Sequence, residues 1–236
     1  MSYCIDNTKE DFELTSFLDQ FWGQAGLKRS IDKIFEIVVY ALFEVLARAI
    51  EIKVDIYFNP DKHGIIRSFS SFAEKVLNIT PEGNRKTLDG HFYRAGVTNA
   101  ADRGLDMYAN FGMVVQVKHL SLDEDLAENV VTSITADRII IVCKSVGKKI
   151  ITSLLSQIGW RSRIQSIITT DELAEWYTLA LRGAHAHLLG NAVLATLTGE
   201  IKREFPSVGD SYFQTFKMER GYNTLNIKPF ASLIDL

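Results

Sequence analysis

Asp106, Gln116 and Lys118 are the side chains in this sequence whose types and spacing best suit joint chemistry. They occur in Arg103-Gly104-Leu105-Asp106 and, nine residues after the acid, in Gln116-Val117-Lys118. An acid, a carbonyl oxygen and an ammonium brought to one point are what metal-assisted phosphodiester hydrolysis requires. Hard oxygen ligands hold Mg²⁺, the metal polarises the phosphate and lowers the pKa of water, and a lysine orients or activates the attacking water. The competing readings are bland. Asp106 could cap a turn, Lys118 could be an edge-strand charge that discourages aggregation, and Gln116 could be a buried amide with structural partners only.

Local structure must bring these residues together. Leu105 to Asn110 and Met113 to His119 read as two short strands around Phe111-Gly112, a hairpin. Side chains alternate along a strand, so Gln116 and Lys118 project from one face, and the hairpin returns that face towards Asp106. Upstream, Ser30 to Arg48 reads as a helix apolar on nearly all sides and therefore buried, with Glu36 and Glu44 as exceptions. Val54 to Phe58 reads as a strand, Ser68 to Leu77 as a short helix, and Thr80 to Gly90 as loop. Downstream, Leu122 to Ser133 reads as a helix with acids in its first turn. The β-branched run Arg138 to Cys143 reads as a buried strand, Gly147 to Ile158 as an amphipathic helix, and Ile164 to Ile168 as a strand. Asp171 to Leu181, with Asp171 as N-cap, and His187 to Phe205 read as helices, and Thr224 to Ile227 as a short strand. The order implies a three-layer α/β (αβα) domain around a mixed central sheet. No Gly-rich phosphate loop follows a first strand, which argues against Rossmann and P-loop chemistry.

Asp106-x9-Gln116-x-Lys118, on that order of elements, resembles the PD-(D/E)XK nuclease signature on its αβββαβ restriction-endonuclease-like core. The likeness covers about residues 30–168, leaving 169–236 as a C-terminal helical extension of a single domain. Gln116 stands where an acid is commonest, a variant similar to the Gln-x-Lys strand of Mrr-type members, and Phe35-Glu36 resembles their helical Phe-Glu pair. The resemblance implies a type II restriction endonuclease: Mg²⁺-dependent, sequence-specific hydrolysis of double-stranded DNA. Asp106 and Gln116 would bind the metal, the Val117 carbonyl would add a ligand, and Lys118 would orient water. Glu36, or its rival Glu44, would supply a further acid, since a carboxylate on an apolar helix is costly unless paired or metal-bound. A homodimer is expected for a palindromic target, with a cognate DNA methyltransferase as functional partner. Rival functions are a structure-selective nuclease, such as a junction resolvase or repair enzyme, and an inactive DNA-binding module of the same fold. Gln116 and the acidic pI favour the last.

Composition is compatible with this. The 236 residues are 47% hydrophobic and 23% charged, which excludes wholesale disorder. The net charge of −3 counts against a uniformly basic nucleic-acid binder, yet charge is segregated. Residues 120–137 hold five acids and no Lys or Arg, whereas 138–165 hold Arg138, Lys144, Lys148, Lys149, Arg161 and Arg163 and no acid. Of these, Lys144, Lys148, Lys149, Arg161 and Arg163 are candidate phosphate contacts. Arg85, Lys86, His91, Tyr93, Arg94 and Asn99 are a candidate DNA-facing loop. His185 and His187 lack a third ligand, and Cys4 and Cys143 read as a free thiol and a core residue. An acidic N-terminus and the lack of a long uncharged apolar run lead us to expect a cytoplasmic protein without a membrane span.

Overall fold

A computed structural model describes residues 3–4, 7–22, 28–83, 85–95, 105–123, 125, 127, 129, 134, 136–146, 163–205, 215 and 218–219. Its N-terminal part includes two helices, α1 (Leu14–Trp22) and α2 (Lys28–Ala49). Ile34, Ile37, Val38, Val39, Ala41 and Leu42 are all buried, so α2 is enclosed on most of its circumference. It ends where Glu51 enters the left-handed region at φ 53°. The strand β1 (Lys53–Tyr57) follows, then a short helix α3 (His63–Ser68) and two further helical turns reaching Leu77. None of α3 is buried.

Residues read as loop from the sequence form a strand, β2 (Arg85–Asp89), antiparallel to β1 in a separate two-stranded sheet. Arg-Lys-Thr-Leu-Asp has a single apolar residue, so it carries no period-2 signal. Cross-strand polar pairs hold it instead: Lys53 to Asp89 at 2.5 Å, and Arg85 and Thr87 both donating to Asp55.

The main sheet has five strands in the order β3 (Phe92–Arg94), β4 (Met107–Ala109), β5 (Met113–Lys118), β6 (Arg138–Cys143) and β7 (Ile164–Thr169). β3–β4 and β4–β5 are antiparallel pairs, whereas β5–β6 and β6–β7 are parallel. The hairpin turns at Gly112, whose φ of 89° suits a residue without Cβ. β3, too short to carry a pattern, was not visible in the sequence. Between β5 and β6 the chain is helical at Asp125, Ala127 and Asn129. A helix, three antiparallel strands, a helical crossover and a parallel strand give the αβββαβ order, but its first strand is β3 and not the expected Val54–Phe58 strand, which as β1 pairs with β2 in the separate sheet.

Two further helices follow, α4 (Thr170–Arg182) and α5 (Ala186–Glu204). The N-cap of α4 is Thr169 rather than Asp171. Thr169 Oγ1 accepts from the Glu172 N–H, and the Glu172 carboxylate accepts from the Thr169 N–H at 2.8 Å. This reciprocal capping box is written in the sequence as Thr-x-x-Glu. The expected elements 147–158 and 224–227 lie outside the described residues.

Each sheet face has its own core. Met107, Val115, Val117, Ile140, Val142 and Ile168 pack with α1, α2, α4 and α5. Ile139, Ile141 and Cys143 pack on the opposite face with Leu122, Ala127 and Ile134. β6 therefore has apolar residues of both parities, as a strand covered on both sides must. No described helix is long and apolar enough to cross a membrane. In the larger core the fully buried Tyr177 hydroxyl of α4 donates to the Val38 carbonyl of α2 at 2.8 Å. We expect Tyr177→Phe to lower the unfolding free energy by about 1 kcal/mol. Urea denaturation measures this, and an unchanged value would mean the bond does not form in solution.

Candidate active site

The site is built where β4 and β5 meet. Met107 pairs with Val115, so Asp106, just before β4, lies opposite Gln116. Asp106 Oδ2 accepts from Gln116 Nε2 at 2.5 Å and from the Val117 N–H at 2.7 Å. Gln116 is only 2% exposed, and its Oε1 is buried with no hydrogen-bond donor. An unpartnered buried acceptor is costly in a folded protein. Here it sits on the amide that touches the candidate acid.

Burial pushes the Asp106 carboxyl up to about 7. The Val117 N–H and the Lys118 charge oppose that rise, Glu36 adds to it, and Lys33 opposes it. Asp106, Gln116, Lys118 and Glu36 are thus in one electrostatic neighbourhood, and the resulting oxygen-rich donor set suits a hard cation. Among the described residues, no three His, Cys, Asp or Glu side chains are grouped so as to hold a metal ion. Any cation here would rely on neutral oxygens as well as carboxylates.

The two buried glutamates of α2 have different surroundings. Glu44, four residues before Arg48, accepts from Arg48 at 2.5 Å, from His91 Nδ1 at 3.0 Å and from the Phe92 N–H at 2.8 Å. Both its oxygens are engaged in fastening β3 to α2, and the structure leaves it no part in the Asp106 cluster. Glu36 lies two turns earlier. Lys33 Nζ donates to both of its oxygens at 2.8 Å, and Arg94 approaches one of them at 3.8 Å.

The candidate DNA contacts divide similarly. Arg85 is exposed and paired with Asp55, Lys86 is half-buried beside it on β2, and Lys144 is exposed at the end of β6. Arg94 differs from the expectation of a DNA-facing side chain. It is largely buried and donates to Glu200 at 3.1 Å and Glu204 at 2.7 Å. Arg163 donates to the backbone carbonyls of Ala136 and Ile134, where it secures the approach to β6. Asn99, Lys148, Lys149 and Arg161 lie outside the described residues.

Several participants were not singled out from the sequence. Asp32 pairs with His119, next to Lys118 in the chain, and Glu200 and Glu204 receive Arg94. The last pair did carry a signal. Leu197, Glu200, Ile201 and Glu204 recur at helical spacing, which puts two acids on an apolar face.

The raised Asp106 pKa has a consequence for stability. The folded state holds this proton more tightly than the unfolded chain, so stability is lost as pH rises through the folded value of about 7. We expect metal-free wild type to lose stability relative to Asp106→Asn between about pH 4 and pH 7, with the difference levelling off at higher pH. Thermal unfolding across that range checks this, and a pH-independent difference would contradict it.

Comparison with known proteins bears on the whole chain. The family model described as HaeII restriction endonuclease matches residues 1–222. The chain is 49% identical over 223 residues to the type II restriction enzyme HaeII of Haemophilus aegyptius, covering 94% of this chain and 63% of that protein. It is likewise 49% identical over 224 residues to the type II restriction enzyme NgoBI of Neisseria gonorrhoeae, with the same 94% and 63% coverage. The chain therefore spans less than two thirds of the length of these relatives. No solved structure matches it significantly. The chain belongs to the HaeII restriction endonuclease family.

Proposed function

We propose that this chain carries the catalytic centre of a type II restriction endonuclease that hydrolyses double-stranded DNA at a specific sequence with Mg²⁺. The observation that carries this reading is the unpartnered Gln116 Oε1 beside the Asp106 carboxylate, with the Lys118 and Glu36 charges acting on the same point. A divalent cation ligated by oxygen would satisfy that acceptor and compensate for the burial of Asp106. The reading is also supported by the names of the two relatives, both type II restriction enzymes.

Asp106, Gln116, the Val117 carbonyl and Glu36 would hold the cation. Bound there, Mg²⁺ would polarise the phosphate and lower the pKa of water. The protein's own groups have definable tasks around it. Asp106 must give up its proton before it can act as a ligand, so cation and proton compete for one carboxylate. The Val117 N–H fixes the orientation of that carboxylate. Lys33 serves as counter-ion to Glu36 until the cation arrives. Lys118 orients the water and offsets charge on the phosphate. The water oxygen bonds to phosphorus and gives up a proton to solvent, the bond to the 3′ oxygen breaks, and that oxygen takes a proton from solvent, leaving 5′-phosphate and 3′-hydroxyl ends. A homodimer would present two such centres to a palindromic site, and a cognate DNA methyltransferase would protect cellular sites in the cytoplasm.

Digestion of long unmethylated duplex DNA, with Mg²⁺ and with EDTA, tests this reading. Discrete bands are expected with Mg²⁺ only. Asp106→Ala and Lys118→Ala should each lower the cleavage rate by roughly a hundredfold or more while duplex binding persists. Cleavage in EDTA, or full activity in either variant, would contradict it, and a smear would point to a nuclease without sequence specificity.

A further inference from the structure

We infer that Arg94, clamped by Glu200 and Glu204 of α5, is a positioning residue that places positive charge beside the Glu36 carboxylate while leaving its oxygens open to a cation. The inference rests on the proposed role of Glu36 as a ligand. It goes beyond that role by assigning a function to an ion cluster that joins the site to α5.

The distances define the arrangement. Arg94 donates to Glu204 at 2.7 Å and to Glu200 at 3.1 Å, but stands 3.8 Å from Glu36. The first two are hydrogen bonds, and the third is an ion-pair contact without one. Arg94 Nε is buried and has no acceptor, so the α5 carboxylates, and not full satisfaction of the guanidinium, fix its orientation. Arg203 also pairs with Glu200. Three carboxylates (Glu36, Glu200, Glu204) therefore meet three cations (Lys33, Arg94, Arg203).

This balance has a chemical meaning. A buried carboxylate such as Glu36 calls for positive charge nearby. A donor bonded fully to both oxygens would compete with the cation for them. Lys33, from the same helix and partly exposed, can leave for solvent. Arg94 cannot, since its side chain is only 11% exposed and held from α5. It supplies charge from a distance that leaves the Glu36 oxygens open. Without the pull of Glu204, the guanidinium would close on Glu36 and take up its lone pairs.

The test is Mn²⁺ affinity, read by electron paramagnetic resonance of the intact protein, for wild type, Glu36→Gln, Glu204→Gln and the double variant. Glu36→Gln should weaken binding about tenfold or more, and Glu204→Gln about tenfold although it touches no proposed ligand oxygen. The double variant should bind no more weakly than Glu36→Gln, because the Glu204 effect passes through Glu36. Glu204→Asp, which keeps the charge, should restore most of the affinity. If Glu204→Gln does not fold, Glu200→Gln carries the same test. Weakening by Glu36→Gln with none from Glu204→Gln would overturn the positioning role and leave the ligand role of Glu36 standing. No weakening from Glu36→Gln would overturn both. Losses that multiply in the double variant would overturn positioning through Glu36.

Discussion

The cost of burying carboxylates organises this part of the molecule. Asp106, Glu36, Glu44 and Glu200 are all taken largely out of water. An unpaired ionised carboxylate in such surroundings is strongly unfavourable, so each must find compensation or give up its charge. Glu44 and Glu200 are compensated by neighbouring donors. Asp106 is not. Its donors are one backbone N–H and one amide, and its pKa rises accordingly. The structure thus places a carboxyl that resists ionisation where β4 and β5 meet, beside an acceptor that has no partner. On the proposed reading, a bound cation would relieve both.

The compensated carboxylates carry the architecture that keeps this one in place. Glu36, Tyr40 and Glu44 recur every four residues on α2 and so form one stripe along the helix. At one end Glu44 grips His91 and Phe92, and at the other Glu36 faces Arg94. β3 is therefore fastened to the central helix at both of its ends. Arg94 then extends the attachment to α5. The Asp106 backbone carbonyl accepts from the Ala95 N–H at 2.9 Å, so movement of β3 would be passed to the site within one residue.

Much of this was legible from sequence where the determinants are local. The hairpin, the β-branched run of β6 and the apolar girth of α2 follow from periodicities of two and 3.6, and the convergence of Asp106 with Gln116 follows from the alternation of one hairpin. The membership of a restriction-enzyme family was reached through the same few residues. The choice between Glu36 and Glu44 was not legible, since both sit on the same stripe with a basic residue nearby. What separates them is long-range: Phe92 is 48 residues from Glu44, and Arg94 is 106 residues from Glu200. Arg94 looked like a surface cation in a polar stretch because its partners lie on a helix at the far end of the described chain. β2 escaped detection for the opposite reason, as its pairing is held by charges and gives no apolar alternation.

On the proposed reading Asp106 is a desolvated carboxyl whose burial would be relieved by a divalent cation. ¹³C NMR of the labelled Asp106 carboxyl, titrated with pH in the absence and presence of Mg²⁺, tests it most directly. The account predicts a pKa near 7 without metal and a marked fall when Mg²⁺ is added. An ordinary carboxylate value in both conditions would contradict it.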